Sequence, residues 1–306
     1  MARRLLLSGE MPHPSSLLIA VDFSTGSRTA VGVAALIARR HAATLTLLHV
    51  DRIPEIIERE AMRAPADVWE SYLRDRAQSA RHLLEEQASM LSGVSTRVAV
   101  AAGDVPRAIL QQASRDGSDL VVLGAHGTGT VHHLWLGSTP FEVAAGTQVP
   151  ALIVRERGAP QSQQGFRRPL IAMDVGGPND AEVAVAAWMC DDDAIFHFVQ
   201  VSEQPSAGAV PPPAAKAWRQ ALARRASWLR DEAARLRPGA AAVHFDEAES
   251  TSEAILERIE REGHDLVVVG QRAAPKPSGS LGSAARRLLE YANVSVVVTP
   301  APIRNV

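Results

Sequence analysis

DLVVLGAHGTGTVHHLWLGSTPFEVAAGTQVPALIV, residues 119–154, is the stretch whose reading decides the fold. Two apolar, β-branched runs, Leu120–Leu123 and Ala151–Val154, bracket a glycine-punctuated loop and a segment of helical length. Gly124 and Gly127 follow the first run directly, and Gly137-Ser138-Thr139 comes nine residues later. Glycines let backbone N–H groups approach an anion closely. A helix opening at Gly137-Ser138 would add unpaired donors and a positive dipole end. The arrangement suits a phosphate.

Upstream the same alternation continues. Leu17–Val21 is a short apolar run ending at Asp22, and FSTGS after it supplies turn and cap residues. Ser27–His41 has helical apolar spacing, Leu45–Val50 reads as a second strand and Thr96–Ala101 as a third. Between these, Ala66–Leu91 carries Val68, Trp69, Tyr72, Leu73, Ala80, Leu83, Leu84 and Met90 at intervals of three and four, which predicts an amphipathic helix. Pro106–Arg115 is a helix with proline in its first turn. Strands alternating with helices predict a parallel α/β sheet.

The pattern then repeats. LLIAVD at Leu17–Asp22 returns as PLIAMD at Pro169–Asp174, and AILQQASRDGSD at Ala108–Asp119 returns as AILERIEREGHD at Ala254–Asp265. DLVVLG returns as DLVVVG at Asp265–Gly270, and the closing VPALIV as VSVVVT at Val294–Thr299. A polar stretch without periodicity separates the copies. The expected organisation is a first domain over residues 1–155, a linker over 156–166 and a second domain over 167–306.

At 306 residues the chain can bury two cores, and 46% hydrophobic with 22% charged residues is globular composition. A net charge of −2, with arginine pairs scattered among acids and apolar residues, makes no case for nucleic acid. The one cysteine, Cys190, cannot form an internal disulfide, which favours a reducing compartment. The apolar run at Leu5–Leu7 is too short for a signal sequence, and no run approaches membrane length. A cytoplasmic protein with no membrane partner is the expectation.

Gly124-x2-Gly127-x9-Gly137-Ser138, between DLVVLG and VPALIV, resembles the nucleotide loop of the universal stress protein family, and the resemblance extends over nearly the whole chain as two tandem copies. It implies an α/β fold of two doubly wound domains, each a mostly parallel five-stranded sheet with helices on both faces. Some members of the family bind ATP; others lack the loop and do not. Carried over by position, Asp22 matches the aspartate at the adenosine end, and Val50 the position whose backbone meets adenine. Gly124, His126, Gly127, Gly137, Ser138 and Thr139 match the loop around ribose and phosphates. Asp22, Val50 and Gly124 also end strands, where ligands of open parallel sheets bind, and Gly103 is a further candidate for the pocket wall. The implied ligand is ATP with Mg²⁺. There is no Walker sequence and no Lys or Arg between Gly124 and Thr139, so backbone N–H groups, hydroxyls, a helix dipole and Mg²⁺ must meet the phosphate charge. That favours binding over fast phosphoryl transfer, leaving at most weak hydrolysis.

The second copy departs from the pattern. Ala273 replaces the second glycine, Pro275 and Pro277 remove donors, and eleven residues rather than twelve separate Gly270 from Gly282. Little or no ATP binding is expected there, although Arg272, Lys276 and Ser280 offer groups for an anion. Several residues carry a plainer reading beside the functional one. Gly124 and Gly127 could make a turn, Ser138 could be an N-cap, and Asp22 could cap the helix after it. His132 and His133 read as a solvated loop, Cys190-Asp191-Asp192-Asp193 as a solvated turn before a metal site, and Trp69, Trp188, Trp218 and Trp228 as packing residues. Trp135 lies inside the loop and could cover a nucleotide or pack beneath it.

These readings combine into an ATP-binding stress sensor or regulator. An intramolecular pseudo-dimer is expected, with Ala151–Val154 and Val294–Val298 as sheet edges, and a further homodimer is compatible with it. The alternatives are a slow ATPase or nucleotide-transfer enzyme at the same loop, and a nucleotide-free module whose long helices bind protein.

Overall fold

The computed structural model describes residues 13–52, 66–126, 137–160, 164–174, 179–203, 212–239, 241–271 and 281–300. The chain divides into two compact units, Met1–Arg155 and Glu156–Val306.

In the first unit β1 (Ser16–Ala20) leads into α1 (Thr25–His41), followed by β2 (Thr44–Asp51), α2 (Ala66–Ser89) and β3 (Ser95–Ala102). Then come α3 (Val105–Asp116), β4 (Leu120–Gly124), α4 (Ser138–Gly146) and β5 (Ala151–Val154). The five strands are parallel in the order β3-β2-β1-β4-β5. The chain winds outward from β1 through β2 to β3, then returns to β4 on the other side. That reversal puts a topological switch point at the carboxyl ends of β1 and β4.

Both faces of the sheet are covered, which is why its central strands are apolar throughout and not alternating. Leu18, Leu48, Val50, Val121 and Leu123 pack with Ile109 and Ala113 of α3 and Val143 of α4. On β1, β4 and β5, α1 packs as well. Local chemistry sets the ends of these helices. Ser24 Oγ accepts from the N–H of Ser27 at 3.1 Å to cap α1, and Asp104 Oδ1 accepts from the N–H of Arg107 at 3.0 Å to cap α3. Gly117 closes α3 at φ +58°, a left-handed position that glycine adopts without strain. Asp119 then ties the start of β4 to β1, its carboxylate accepting from Ser15 N–H at 2.7 Å and Ser16 N–H at 3.1 Å.

The second unit repeats the plan through β6 (Pro169–Ala172), α5 (Asp180–Met189), β7 (Phe196–Glu203), α6 (Pro212–Leu236) and β8 (Ala241–Ala248). It ends with α7 (Thr251–Glu262), β9 (Leu266–Gly270), α8 (Ser283–Tyr291) and β10 (Ser295–Thr299). Its strands are parallel in the order β8-β7-β6-β9-β10. The same devices recur: Gly263 ends α7 at φ +66°, and Asp265 accepts from the N–H groups of Arg167 at 2.7 Å and Arg168 at 3.0 Å. Each unit is therefore a doubly wound α/β sheet with helices on both faces. β5 and β10 stand at an edge of the five strands of their own units. Among the described residues no helix is long and apolar enough to cross a membrane.

The apolar stripe expected on α2 is corrected in part. Ala80 and Leu84 are buried, but Val68, Leu83 and Met90 are 55%, 46% and 76% exposed. The inward face runs Trp69, Tyr72, Arg76, Ala80 and Leu84, so a cation occupies its middle. Arg76 Nε donates to Asp51 Oδ2 at 2.7 Å, its second nitrogen reaches Asp51 Oδ1, and it also donates to the Tyr72 hydroxyl at 3.1 Å. Counting apolar residues alone misses a face whose centre is an ion pair.

Candidate functional site

At the switch point the chain leaves β1 through a strained turn. Phe23 has φ +61°, a left-handed backbone that costs a non-glycine residue about 1–2 kcal/mol. The turn is held by Asp22, whose Oδ1 accepts from the Ser24 N–H at 3.0 Å and the Ser24 hydroxyl at 2.6 Å. The Asp22 N–H in turn donates to the buried Ser27 hydroxyl at 3.2 Å. Ser24, not Asp22, therefore caps α1, and Asp22 orients the cap. Arg28 donates to the Phe23 carbonyl at 2.6 Å, which sets one cation beside this turn.

From the other side of the switch point comes the end of β4. A Cβ on Gly124 would stand 2.9 Å from the Gly26 carbonyl carbon and 3.1 Å from the Ser27 nitrogen; one on Gly26 would stand 2.9 Å from the His126 carbonyl oxygen. These two glycines let the first turn of α1 touch the strand end backbone to backbone. The Ala125 N–H donates to the Val154 carbonyl at 2.9 Å, and the Gly137 N–H to the Ala125 carbonyl at 3.0 Å. That second bond brings the start of α4 to the same place. Gly137 is the N-cap of α4 and has no side chain to cap it, so Ser138 is not the cap and its hydroxyl stands exposed in the first turn with Thr139 beside it.

Asp22, Gly124, His126, Gly137, Ser138 and Thr139 thus lie at or next to the switch point. Val50 lies one strand over, near the carboxyl end of β2. Its side chain belongs to the core beneath α3 and α4, leaving its backbone to face any ligand at the strand end. Gly103 follows β3 at φ +109°, donates to the Asp51 carbonyl at 3.1 Å and has open space where a Cβ would be. Gly127, His132, His133 and Trp135 fall outside the described residues, as do Arg272, Ala273, Pro275, Lys276, Pro277 and Ser280 of the second loop.

Sequence reading took FSTGS as turn and cap residues, as Ser24 is, but did not place Ser24, Gly26, Ser27 or Arg28 at the site. A fifth feature is the Phe23 ring, 5.0 Å from that of His49, whose Nδ1 lies 2.7 Å from the Val21 carbonyl. The signal for Ser27 lay in the repeat itself. Asn179 holds its position in the second unit and accepts from the Asp174 N–H at 3.1 Å, so the side-chain-to-backbone tie was duplicated although the residue changed.

The second unit differs where it matters. Glu182 stands on α5 where the first unit has Ala30, and its carboxyl lies against Gly270: a Cβ there would be 2.7 Å from Oε1. Oε1 accepts from the Thr299 hydroxyl at 2.7 Å, and burial pushes the carboxyl above the usual range. The acidic triplet after Cys190 is no cation site, since its members face separate partners. Asp191 accepts from the Gly165 N–H at 2.6 Å, Asp193 pairs with Arg167 at 2.8 Å and Asp192 is exposed.

The model of the Universal stress protein family matches residues 15–155 and again residues 165–300. The chain belongs to the universal stress protein family. It does so as a tandem member, and its relatives show the proportion. A universal stress protein of Thermus aquaticus is 32% identical over 142 residues, 46% of this chain and 98% of that one. Universal stress protein A homolog 2 of Coxiella burnetii is 30% identical over 151 residues, 49% of this chain and 100% of that one. Each single-domain relative is thus matched along its length by about half of this chain. Among solved structures, a universal stress protein from Archaeoglobus fulgidus has the same fold, with TM-score 0.67 at 19% identity, covering 93% of this chain and 98% of that one.

Proposed function

We propose that this tandem universal stress protein binds ATP with Mg²⁺ in its first unit and reports nucleotide state in a stress response. The observation that carries the reading is the convergence at the switch point of two helix starts, α1 and α4, on the glycine-ended strand β4. α4 brings an N-terminus with no capping side chain, so its first N–H groups suit an anion. Asp22, Ser24, Ser138 and Thr139 supply oxygens for ribose and for the hydration shell of Mg²⁺, while the Val50 backbone serves the base. The fit for Mg²⁺ rests on this oxygen-only set beside the phosphates. Arg28 adds a cation at the rim. In this reading the nucleotide is bound, not rapidly turned over.

The second unit takes no nucleotide, on this account. Glu182 puts a carboxyl under the strand end that an anion would approach, where the first unit packs glycine on glycine. Domain limits of 1–155 and 167–306 around a short linker are part of the same proposal, as is a cytoplasmic location.

Calorimetry of the nucleotide-free full chain with ATP and Mg²⁺ tests this. One site per chain is expected, lost in Asp22→Ala and in Gly137→Val. Gly137 has φ −64°, and a Cβ there makes only ordinary contacts, with Pro140 Cδ at 3.4 Å, the Ala125 carbonyl oxygen at 3.7 Å and Pro140 Cγ at 3.8 Å, so the valine disturbs the ligand's approach more than the fold. No binding at millimolar ATP, or two equal sites, would overturn the proposal.

A further inference from the structure

At the other end of the second unit, toward the amino ends of its strands, three imidazoles and a carboxylate converge. His197 is the second residue of β7, His244 lies in β8, Glu262 ends α7 and His264 follows it just before β9. His197 Nδ1 is 2.9 Å from His244 Nε2, and the two rings are stacked 4° from parallel. Glu262 Oε2 lies 3.6 Å from His244 Nε2 and 3.5 Å from His264 Nε2. One donor atom each from His197, His244 and Glu262 fall within 4.8 Å of one another. The His264 ring meets that of His197 edge-on at 4.6 Å.

We propose that His197, His244 and Glu262, with His264 beside them, form a binding site for one zinc-like divalent cation, separate from the nucleotide site. Zinc takes imidazole nitrogen and carboxylate oxygen at about 2.0–2.2 Å, so neighbouring ligand atoms in a tetrahedral site stand about 3.3–3.6 Å apart. The Glu262 oxygen already stands at that separation from His244 and from the flanking His264, the His197–His244 distance must open by about a few tenths of an ångström, and His197 and Glu262 lie within 4.8 Å of each other. Imidazole must be neutral to bind metal. Burial, then repulsion from His264 and His244, pushes His197 down to about 4; burial lowers His244 and His264 as well. The Nε2 atoms of His197 and His264 are buried with no hydrogen-bond partner among the described residues.

The repeat shows that the fold does not require this cluster. β-Pairing sets His197 against Leu170 where the first unit sets Thr46 against Leu18, and His244 against Val199 where it sets Ala99 against Leu48. The aligned stretches Ala108–Asp119 and Ala254–Asp265 put Ser118 at the place of His264 and Asp116 at that of Glu262. The first unit fills these positions with residues that cannot make the same nitrogen site.

Arg168, Arg258 and Arg261 face the cluster, against the carboxylates of Asp246 and Glu262. Arg258 is held by Asp246, with Nε at 2.9 Å and a second nitrogen at 2.5 Å. Its third nitrogen donates to His244 Nδ1 at 2.7 Å and also touches Glu262 Oε1. With Nδ1 accepting, His244 Nε2 carries the proton and donates to His197. A cation on Nε2 would leave the His244 proton on Nδ1, so the Arg258 nitrogen 2.7 Å away would have to draw apart from that ring, held then by Asp246 and Glu262. Burial opposes ionisation of Glu262, but the Arg258 guanidinium and a hydrogen bond from Arg261 hold its carboxyl below the usual carboxylate range.

The test uses the full chain, stripped with chelator and titrated with Zn²⁺ and, separately, Co²⁺. Expected are one ion per chain and the strong visible absorption of tetrahedral Co²⁺. Affinity should fall at least 100-fold in Glu262→Gln and in the triple variant His197→Thr, His244→Ala, His264→Ser, which installs the first unit's residues. Bound Zn²⁺ should also protect His197 and His244 from acylation by diethyl pyrocarbonate, read by peptide mapping of the unmutated protein. No stoichiometric binding, an octahedral Co²⁺ spectrum, or unchanged acylation of both histidines with Zn²⁺ bound would overturn the proposal.

Discussion

Substituting Gly124→Ala separates two reasons for a glycine at the end of β4. A Cβ at this position would lie 2.9 Å from the Gly26 carbonyl carbon, 3.0 Å from its oxygen and 3.1 Å from the Ser27 nitrogen. Non-bonded carbon atoms rest at about 3.5–4.0 Å, so the new methyl intrudes by roughly half an ångström or more on three backbone atoms. No side chain can rotate away; α1 must lift from the strand. Overpacking of this kind costs typically about 1–3 kcal/mol. In a unit of this size, ~2 kcal/mol lowers the melting temperature by about 4–8 °C. Because α1 moves, Asp22 and Ser24 lose their register with His126, and hydrogen exchange in Thr25–His41 should speed up with no nucleotide present. Gly26→Ala should act similarly, and the double variant should fall short of the sum, since both methyls push the same helix turn away. Thermal melting, urea titration and exchange mass spectrometry on the nucleotide-free chain decide the matter. A stability change below about 0.5 kcal/mol with unaltered exchange in α1 would refute the packing argument and leave Gly124 with a ligand role alone.

Other perturbations follow from the same contacts. Arg76→Met strands the buried Asp51 carboxylate and should cost about 1–3 kcal/mol by urea denaturation. The Arg76 hydrogen bond holds Asp51 below 3.8, so the pair's contribution is complete above that pH and lost as pH falls through the lower folded value; the variant should lack this acid limb. Glu182 behaves oppositely. Its folded value is raised above 4.5 by burial, so the wild type loses stability as pH climbs from 4.5 through that value, and Glu182→Gln should flatten this slope in pH-dependent melting. On α2, Leu84→Ala should cost about 2–5 kcal/mol while its neighbour Leu83→Ala stays within about 0.5 kcal/mol, because only the first is buried.

What the sequence made legible was whatever leaves a local, repeated mark. Continuous apolar runs such as Leu120–Leu123 announce strands covered on both faces. The duplication itself exposed two copies of one sheet. Less visible was anything whose partners are distant in the chain. Gly26 stood in a turn-like FSTGS, and only its approach to Gly124 and His126 reveals why it lacks a side chain. Arg76 carries no mark in the apolar pattern of α2; its place on the inward face depends on Asp51, at the end of β2. His197 and His244 lie in two strands and His264 just before a third, with no spacing shared by metal motifs, so their meeting depends on the β9–β6–β7–β8 register. For Ser138 the plainer alternative was an N-cap, because caps favour serine, yet Gly137, whose N–H reaches the Ala125 carbonyl, holds that place.

Photolabelling with azido-ATP in the presence of Mg²⁺, followed by peptide mapping, tests the central claim most directly. The account predicts one label per chain, within peptides of residues 13–155 and competed away by ATP. Labelling confined to residues 165–300, or none above background, would contradict it.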